Sequence, residues 1–275
     1  MVRSEKKAVS TGNPGKELAN RSRNHKKTPD PRAAAPGRVV VGGPIGLMIV
    51  DSSQAFREGL ASALRDHKEF ELVGQLELAD QVFAQEESLN ADICIVDVDL
   101  RDRSGIEVMH WLRDKYPHTT VLLLSHWDWD VYLVAAQVAG AVGLLIRSTP
   151  LEVLFRQINS AYLGPIYTPG QIHRIKTWKK TVGDRLKKLS PREWEILWLL
   201  AMGHKNKLIA ESLSLAENTV EKHVTNILEK VGLTSRSSLL AFIYLNHLDV
   251  LSRLPVSRRF LYINLVEETA EVSEQ

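Results

Sequence analysis

The chain has 275 residues, 44% of them apolar, a formal net charge of +2 and a single cysteine, Cys94. That length accommodates two domains of ordinary size, while one cysteine excludes an intrachain disulfide framework and a thiolate zinc site. No apolar run approaches the roughly twenty residues of a membrane span, and no hydrophobic leader opens the chain, so a cytoplasmic protein without membrane contact is expected.

The small net charge hides a segregation along the chain. Residues 1–44 carry ten Lys/Arg against three Asp/Glu, with almost no aliphatic periodicity. Such a segment cannot bury enough apolar surface to offset the entropy of ordering it, so a disordered basic arm is expected. Residues 45–165 carry nine Lys/Arg against eighteen Asp/Glu and alternate β-branched runs with amphipathic stretches. Strands are expected at 45–50, 70–75, 92–96, 120–124 and 142–146, and helices near 54–66, 78–89, 105–115, 129–139 and 150–162. That alternation implies an α/β fold, a doubly wound five-stranded parallel sheet covered on both faces.

Ligands of such sheets sit beyond the carboxyl ends of the strands, where the strand order reverses. Asp51 follows the first strand, Asp97 the third, Ser125 the fourth and Arg147 the fifth. Two carboxylates, a hydroxyl and a cation on one edge suit a divalent metal and a phosphoryl group. Hard oxygens hold Mg²⁺, the hydroxyl and the cation meet phosphate oxygens, and a carboxylate can act as nucleophile.

Residues 166–185, with five Lys/Arg against one Asp/Glu, read as a basic linker. Its cations Arg174, Lys176, Lys179, Lys180 and Arg185 are candidates for phosphate contacts. Residues 186–249 read as a small all-α four-helix domain containing a helix-turn-helix. Ser190, Pro191 and Glu193 make a capping box with proline at the first helical position. Ile196, Leu197, Leu200 and Ala201 follow at helical spacing until Gly203 stops the helix. A second helix is expected from Asn206 to Leu213 and a third from Glu217 to Val231, ended by Gly232; a fourth spans about 235–248. The third buries Val220, Val224, Ile227, Leu228 and Val231. Its other face carries Asn218, Thr219, Glu221, Lys222, Thr225, Asn226 and Lys230, groups suited to a DNA major groove. The domain holds eight Lys/Arg against seven Asp/Glu, so affinity for double-stranded DNA should depend on locally placed cations and on dimerisation. The tail, 250–275, contains an apolar patch at 260–266, read as a short strand or helix packed on a neighbour.

The run Leu189 to Leu233, LSPREWEILWLLAMGHKNKLIAESLSLAENTVEKHVTNILEKVGL, resembles the LuxR-type helix-turn-helix family. The motifs LMIVDSS, IVDVDLRDRSGIE and VLLLSHW resemble the flavodoxin-like receiver domain of bacterial response regulators, and the two together resemble a NarL/FixJ-type two-component response regulator. The resemblance implies that Asp97 accepts a phosphoryl group and that Asp51, Asp97 and the main chain of Asp99 hold the metal. It implies that Ser125 and Arg147 contact the phosphoryl group and that Gly105 opens the next helix. It further implies a homodimer, a sensor histidine kinase as partner, and no enzymatic turnover. By position, Glu221, Lys222 and Thr225 read bases, with Asn218, Thr219 and Lys230 nearer phosphates.

Several positions depart from the receiver pattern. Ser52 replaces the second acid, so Mg²⁺ binding is expected to be weak or absent. Arg147 replaces the usual lysine with a longer, forked cation. Leu144 stands where many receivers have an aromatic switch residue, and the loop after Asp99 lacks the customary proline. A phosphorylation-independent pseudo-receiver is therefore the alternative to phosphoryl control. A remoter one is an aspartyl-phosphate phosphatase, since Asp97-Val98-Asp99 resembles the Asp-x-Asp of the haloacid dehalogenases, although Arg101 stands where that motif has Thr or Val. The segment His126-Trp127-Asp128-Trp129-Asp130 reads as a helix-capping loop, Trp194 and Trp198 as packing residues, and His223 as structural.

Overall fold

A computed structural model describes residues 43–85 and 89–253. The basic arm up to residue 42 and the apolar patch at 260–266 lie outside the described residues. Five parallel strands, β1 (Ile45–Val50), β2 (Phe70–Leu76), β3 (Ile93–Asp97), β4 (Thr120–Ser125) and β5 (Gly143–Ile146), lie in the order β2-β1-β3-β4-β5. The order reverses between β1 and β3, which sets Asp51 and Asp97 side by side at the carboxyl edge. Side chains alternate across a strand, so Leu47, Ile49, Ile93, Ile95, Leu122 and Leu124 face one layer and Met48, Val50, Cys94, Val96, Val121 and Leu123 the other.

Helices α1 (Gln54–Leu64) and α5 (Leu151–Ala161) cover the first face with Leu60, Leu64, Leu154, Phe155 and Ile158. The second face is covered by α2 (Ala79–Phe83), α3 (Gly105–Lys115) and α4 (Asp130–Ala139). Several expected boundaries move. Asp97 and Ser125 are the last residues of their strands rather than the first beyond them. Helix α2 is one short turn instead of the span 78–89, because the polar run after Ala84 gives it no apolar face to bury, and 86–88 lie outside the described residues. Its exposed amides are capped from a distance: Ala79 and Asp80 donate to the Asp102 carboxylate at 3.0 and 2.9 Å.

The basic linker is helical and buried on one side. It forms α6 (Pro169–Trp178), a π-helical turn (Lys179–Gly183) and the short α7 (Asp184–Leu186). Thr168 and Gln171 make a capping box with Pro169 at the first turn, and Ile175, Trp178, Val182 and Leu186 recur on one face and are buried. That stripe joins the core beneath α4 to the core of the next domain in one continuous cluster.

There α8 (Pro191–Ala201), α9 (Asn206–Leu213) and α10 (Glu217–Val231) have the expected bounds. Gly203 and Gly232 take left-handed φ of +81° and +72° just past their helices, the conformation for which glycine is suited. The fourth helix is shorter than expected: α11 (Arg236–Leu245) stops, His247 turns the chain with φ of +53°, and α12 (Leu248–Arg253) restarts it. The expected tail thus begins inside a helix.

Candidate functional site

At the carboxyl edge of the sheet the buried Asp51 and Asp97 both meet one cation. A single nitrogen of Arg147, Nη2, donates to Asp51 Oδ2 and, at 2.6 Å, to Asp97 Oδ2. The Arg147 side chain is itself only 8% exposed, with its guanidinium 4.4 Å from the Phe56 ring centroid. Asp51 Oδ1 accepts the Ser53 amide at 2.7 Å, and Arg57 donates to the Asp51 carbonyl. Burial, reinforced by the neighbouring Asp51, pushes the Asp97 carboxyl up to about 6 against the pull of Arg147. The next helix presses close: a Cβ on Gly105 would lie 2.0 Å from the Asp97 carbonyl oxygen, so only glycine fits there.

The other expected site residues are wired differently. Asp99 lends its amide to Asp97 Oδ1 at 3.2 Å, while its carboxylate accepts the Tyr132 hydroxyl at 3.1 Å on both oxygens. Ser125 is fully buried and its Oγ is bonded at 3.0 Å to both the main-chain N and O of Trp127. Ser52 Oγ donates to the Glu77 carbonyl at 3.2 Å and accepts the Arg101 amide at 3.0 Å, tying together two loops that flank the pocket. Leu144 is buried in the core.

The structure thus brings Asp51, Asp97 and Arg147 together, with Asp99 alongside and Ser125 turned to its own loop. A divalent cation held jointly by Asp51 and Asp97 would need the place that the Arg147 guanidinium takes. Among the described residues no group of three or more His, Cys, Asp or Glu is arranged to hold a metal ion. Asp51 and Asp97 are the carboxylates on this edge that could ligate Mg²⁺, and Arg147 bridges them. Reading the sequence alone missed Arg57, Phe56 and Tyr132, of which Phe56 and Tyr132 act through residues remote in the chain.

On α10 the buried face is Val220, Val224, Ile227 and Val231, with Leu228 half-buried. Asn218, Glu221, Lys222, Thr225 and Asn226 are exposed and Thr219 is partly so. Lys230 is the exception among the expected DNA contacts. Its ammonium sits 2.7 and 2.9 Å from the carboxylate of buried Glu193, the acid of the capping box on α8. Burial would raise that carboxyl, but hydrogen bonds from Lys230 and Ser190 outweigh it and hold Glu193 below the usual carboxylate range. Arg236 fastens α11 to the turn before α9 through Asn206 Oδ1 at 2.7 Å and the His204 carbonyl at 2.9 Å.

Two linker cations expected at phosphates are occupied within the protein. Arg174 is bonded to Asp128 and Asp130 at 2.7–3.0 Å, and Lys179 donates to Gln137 at 3.0 Å. Arg185 lies over the Phe242 ring, while Lys176 and Lys180 are exposed. Trp194 and Trp198 are buried against each other as packing residues.

Residues 47–159 match the family described as response regulator receiver domain, and residues 187–243 match bacterial regulatory proteins of the luxR family. The transcriptional regulatory protein DegU of Brevibacillus brevis is 30% identical over 212 residues, covering 70% of this chain and 90% of that protein. The chain belongs to the NarL/FixJ family of response regulators. This NarL/FixJ-type chain is also 28% identical to the nitrate/nitrite response regulator NarL of Escherichia coli K12, over 70% of this chain and 92% of that one. Its fold is that of RcsB from Salmonella enterica serovar Typhimurium, solved bound to a promoter in the presence of a phosphomimetic, with a TM-score of 0.53, 22% identity and coverage of 73% and 98%. Within this family frame, 47–159 is matched as receiver and 187–243 as luxR-type domain.

Proposed function

We propose that this response regulator reads duplex DNA as a homodimer, with α10 in the major groove, and that it does so without phosphorylation of Asp97. The reading rests on the bridge from Arg147 to Asp51 and Asp97, in which a longer, forked cation at the position of the usual lysine engages both carboxylates at once. A buried pair of carboxylates partly compensated in this way has a weaker demand for Mg²⁺, and Ser52 offers it no further carboxylate ligand. The DNA-binding half is supported by the luxR-family match, by the exposed polar face of α10, and by relatives described as transcriptional regulators. The protein acts in the cytoplasm by binding, with no turnover of its own. No helix among the described residues is long and apolar enough to cross a membrane.

A second reading keeps Asp97 as the acceptor of a phosphoryl group from a sensor histidine kinase. It is favoured by the position of Asp97 at the end of β3, one strand from Ser125 and in contact with Arg147. One experiment separates the two. The full chain is used to select duplexes from random sequence, with and without Mg²⁺ and acetyl phosphate, and its mass is followed. Selection of a defined two-half-site duplex without the donor, and no gain of a phosphoryl group, is the expected result. Ready phosphorylation of Asp97 that is required for binding would replace the first reading with the second. Lys222→Ala is expected to cost about 1–3 kcal/mol in affinity and to relax specificity at one base position.

A further inference from the structure

The receiver and the DNA-binding domain meet through a column of aromatic rings. The loop between β4 and α4 is tied down at its start by the Ser125–Trp127 hydrogen bonds. Beyond it the rings of Trp127 and Trp129 lie 5.0 Å apart at 5°, and Trp129 and Tyr132 lie 5.8 Å apart at 6°. A fourth ring comes from the other domain: His247, between α11 and α12, is stacked on Trp129 at 4.0 Å and 2°. The segment carrying Trp129 is also gripped from α6, because Arg174 bonds the carboxylates on either side of it, Asp128 and Asp130.

At its inner end this column reaches the acidic pocket. Tyr132 bonds the Asp99 carboxylate, and the Asp99 amide bonds Asp97. An unbroken series of contacts therefore runs from the Asp97 carboxylate through Asp99, Tyr132 and Trp129 to His247. His247 holds its place with a left-handed backbone, φ of +53°, which non-glycine residues seldom adopt and which costs conformational energy. The docked domain keeps Asn218, Glu221, Lys222, Thr225 and Asn226 exposed, so the contact orients the reading face without covering it.

We infer that Trp129 and His247 are positioning residues for DNA reading. Their stack seats the DNA-binding domain on the receiver with α10 turned outward, and Tyr132 carries a change at Asp97 or Asp99 into that stack. The inference rests on the DNA-reading function proposed above. It requires a coupling free energy between the two ends of the column, since spatial continuity alone transmits nothing.

The test uses the full-length protein and the duplex it selects. His247→Asn removes the ring but suits the left-handed backbone, His247→Tyr keeps a ring, and Tyr132→Phe keeps its ring but loses the hydroxyl that bonds Asp99. His247→Asn is expected to weaken specific binding about fivefold or more, with an unchanged thermal midpoint and altered tryptophan emission, and His247→Tyr is expected to recover part of the loss. Tyr132→Phe is expected to change affinity in the wild-type background and to have no further effect beside His247→Asn. Unchanged or tighter binding by His247→Asn would overturn the positioning role, as would simple additivity of the two changes. A wild-type chain that selects no sequence would instead defeat the DNA-reading function itself.

Discussion

In the DNA-binding domain one buried carboxylate, Glu193, receives the Ser190 amide at 2.7 Å and the Lys230 ammonium, whereas in the receiver two buried carboxylates, Asp51 and Asp97, share one guanidinium nitrogen. The first cluster is rich in donors for its charge, so Glu193 is held low. In the second, burial and the neighbouring Asp51 outweigh the shared guanidinium and the Asp99 amide, so Asp97 is pushed up to about 6. Burial acts on both acids in the same direction. The balance between donors and the cost of burial beside a second carboxylate decides the sign, which makes Glu193 a structural clasp and the Asp51–Asp97 pair a site held by one shared cation.

The largest effect is expected from removing that side chain. Arg147→Ala leaves two buried carboxylates without their cation and should destabilise the receiver by about 3–5 kcal/mol at neutral pH. The loss should shrink in acid, as Asp97 becomes protonated. Vacating the guanidinium also opens the space a metal would need, so Mg²⁺ should raise the thermal midpoint of Arg147→Ala and leave that of the wild type unchanged. A wild-type midpoint that responds to Mg²⁺ as strongly would break the contrast between the two clusters.

Glu193→Gln comes next. It can keep a capping hydrogen bond but abandons Lys230, and it should cost about 1–3 kcal/mol in urea unfolding. If that loss is absent while Lys230→Ala impairs DNA binding at constant stability, Lys230 serves phosphate after all.

The pH dependences should run in opposite directions. Asp97 has a raised folded pKa, so the folded state binds the more protons between about pH 4 and 6 and Asp97's contribution to stability falls as pH rises through that window. Glu193 has a lowered folded pKa, so its contribution is present above the ordinary carboxylate range and is lost as pH falls through the folded value. Asp97→Asn should flatten the first limb and Glu193→Gln the second, measured as thermal midpoint against pH.

The smallest effects concern the linker. Arg174 is bonded to Asp128 and Asp130, so Arg174→Gln should leave the salt dependence of DNA binding unchanged. Exposed Lys176 and Lys180 are the residues whose replacement would lower the salt slope, by about one per lost phosphate contact. Equal slopes for all three variants would assign the whole linker to joining the domains.

Much of this architecture was legible because its signals are local. The capping box at Ser190 and Glu193, the glycines after α8 and α10, and the apolar spacing of Val220, Val224, Ile227 and Val231 lie within a few residues of what they determine. The same holds for the five strands, whose ends placed Asp51, Asp97, Ser125 and Arg147 on one edge. The linker helix was equally local in its signal, since Ile175, Trp178, Val182 and Leu186 have helical spacing, but its run of cations directed attention to charge instead of periodicity. Helix α11 ends earlier than its apolar spacing implies, because His247 takes a left-handed turn before α12.

By itself, then, the sequence determined which elements form, in what order, and which groups reach the sheet edge and the exposed face of α10, because backbone preferences and side-chain periodicity are settled over a few residues. Tertiary structure alone decided which partner each charge takes. Arg147 meets carboxylates 50 and 96 residues away, Lys230 meets one 37 away, and Arg174 reaches acids 44 and 46 away. Such pairings depend on how whole layers close over one another, and for a buried ion the choice of partner fixes both its proton affinity and its function. Ser52 and Arg147 are single letters in the chain, and only the closed pocket makes the second of them a bridge between two carboxylates.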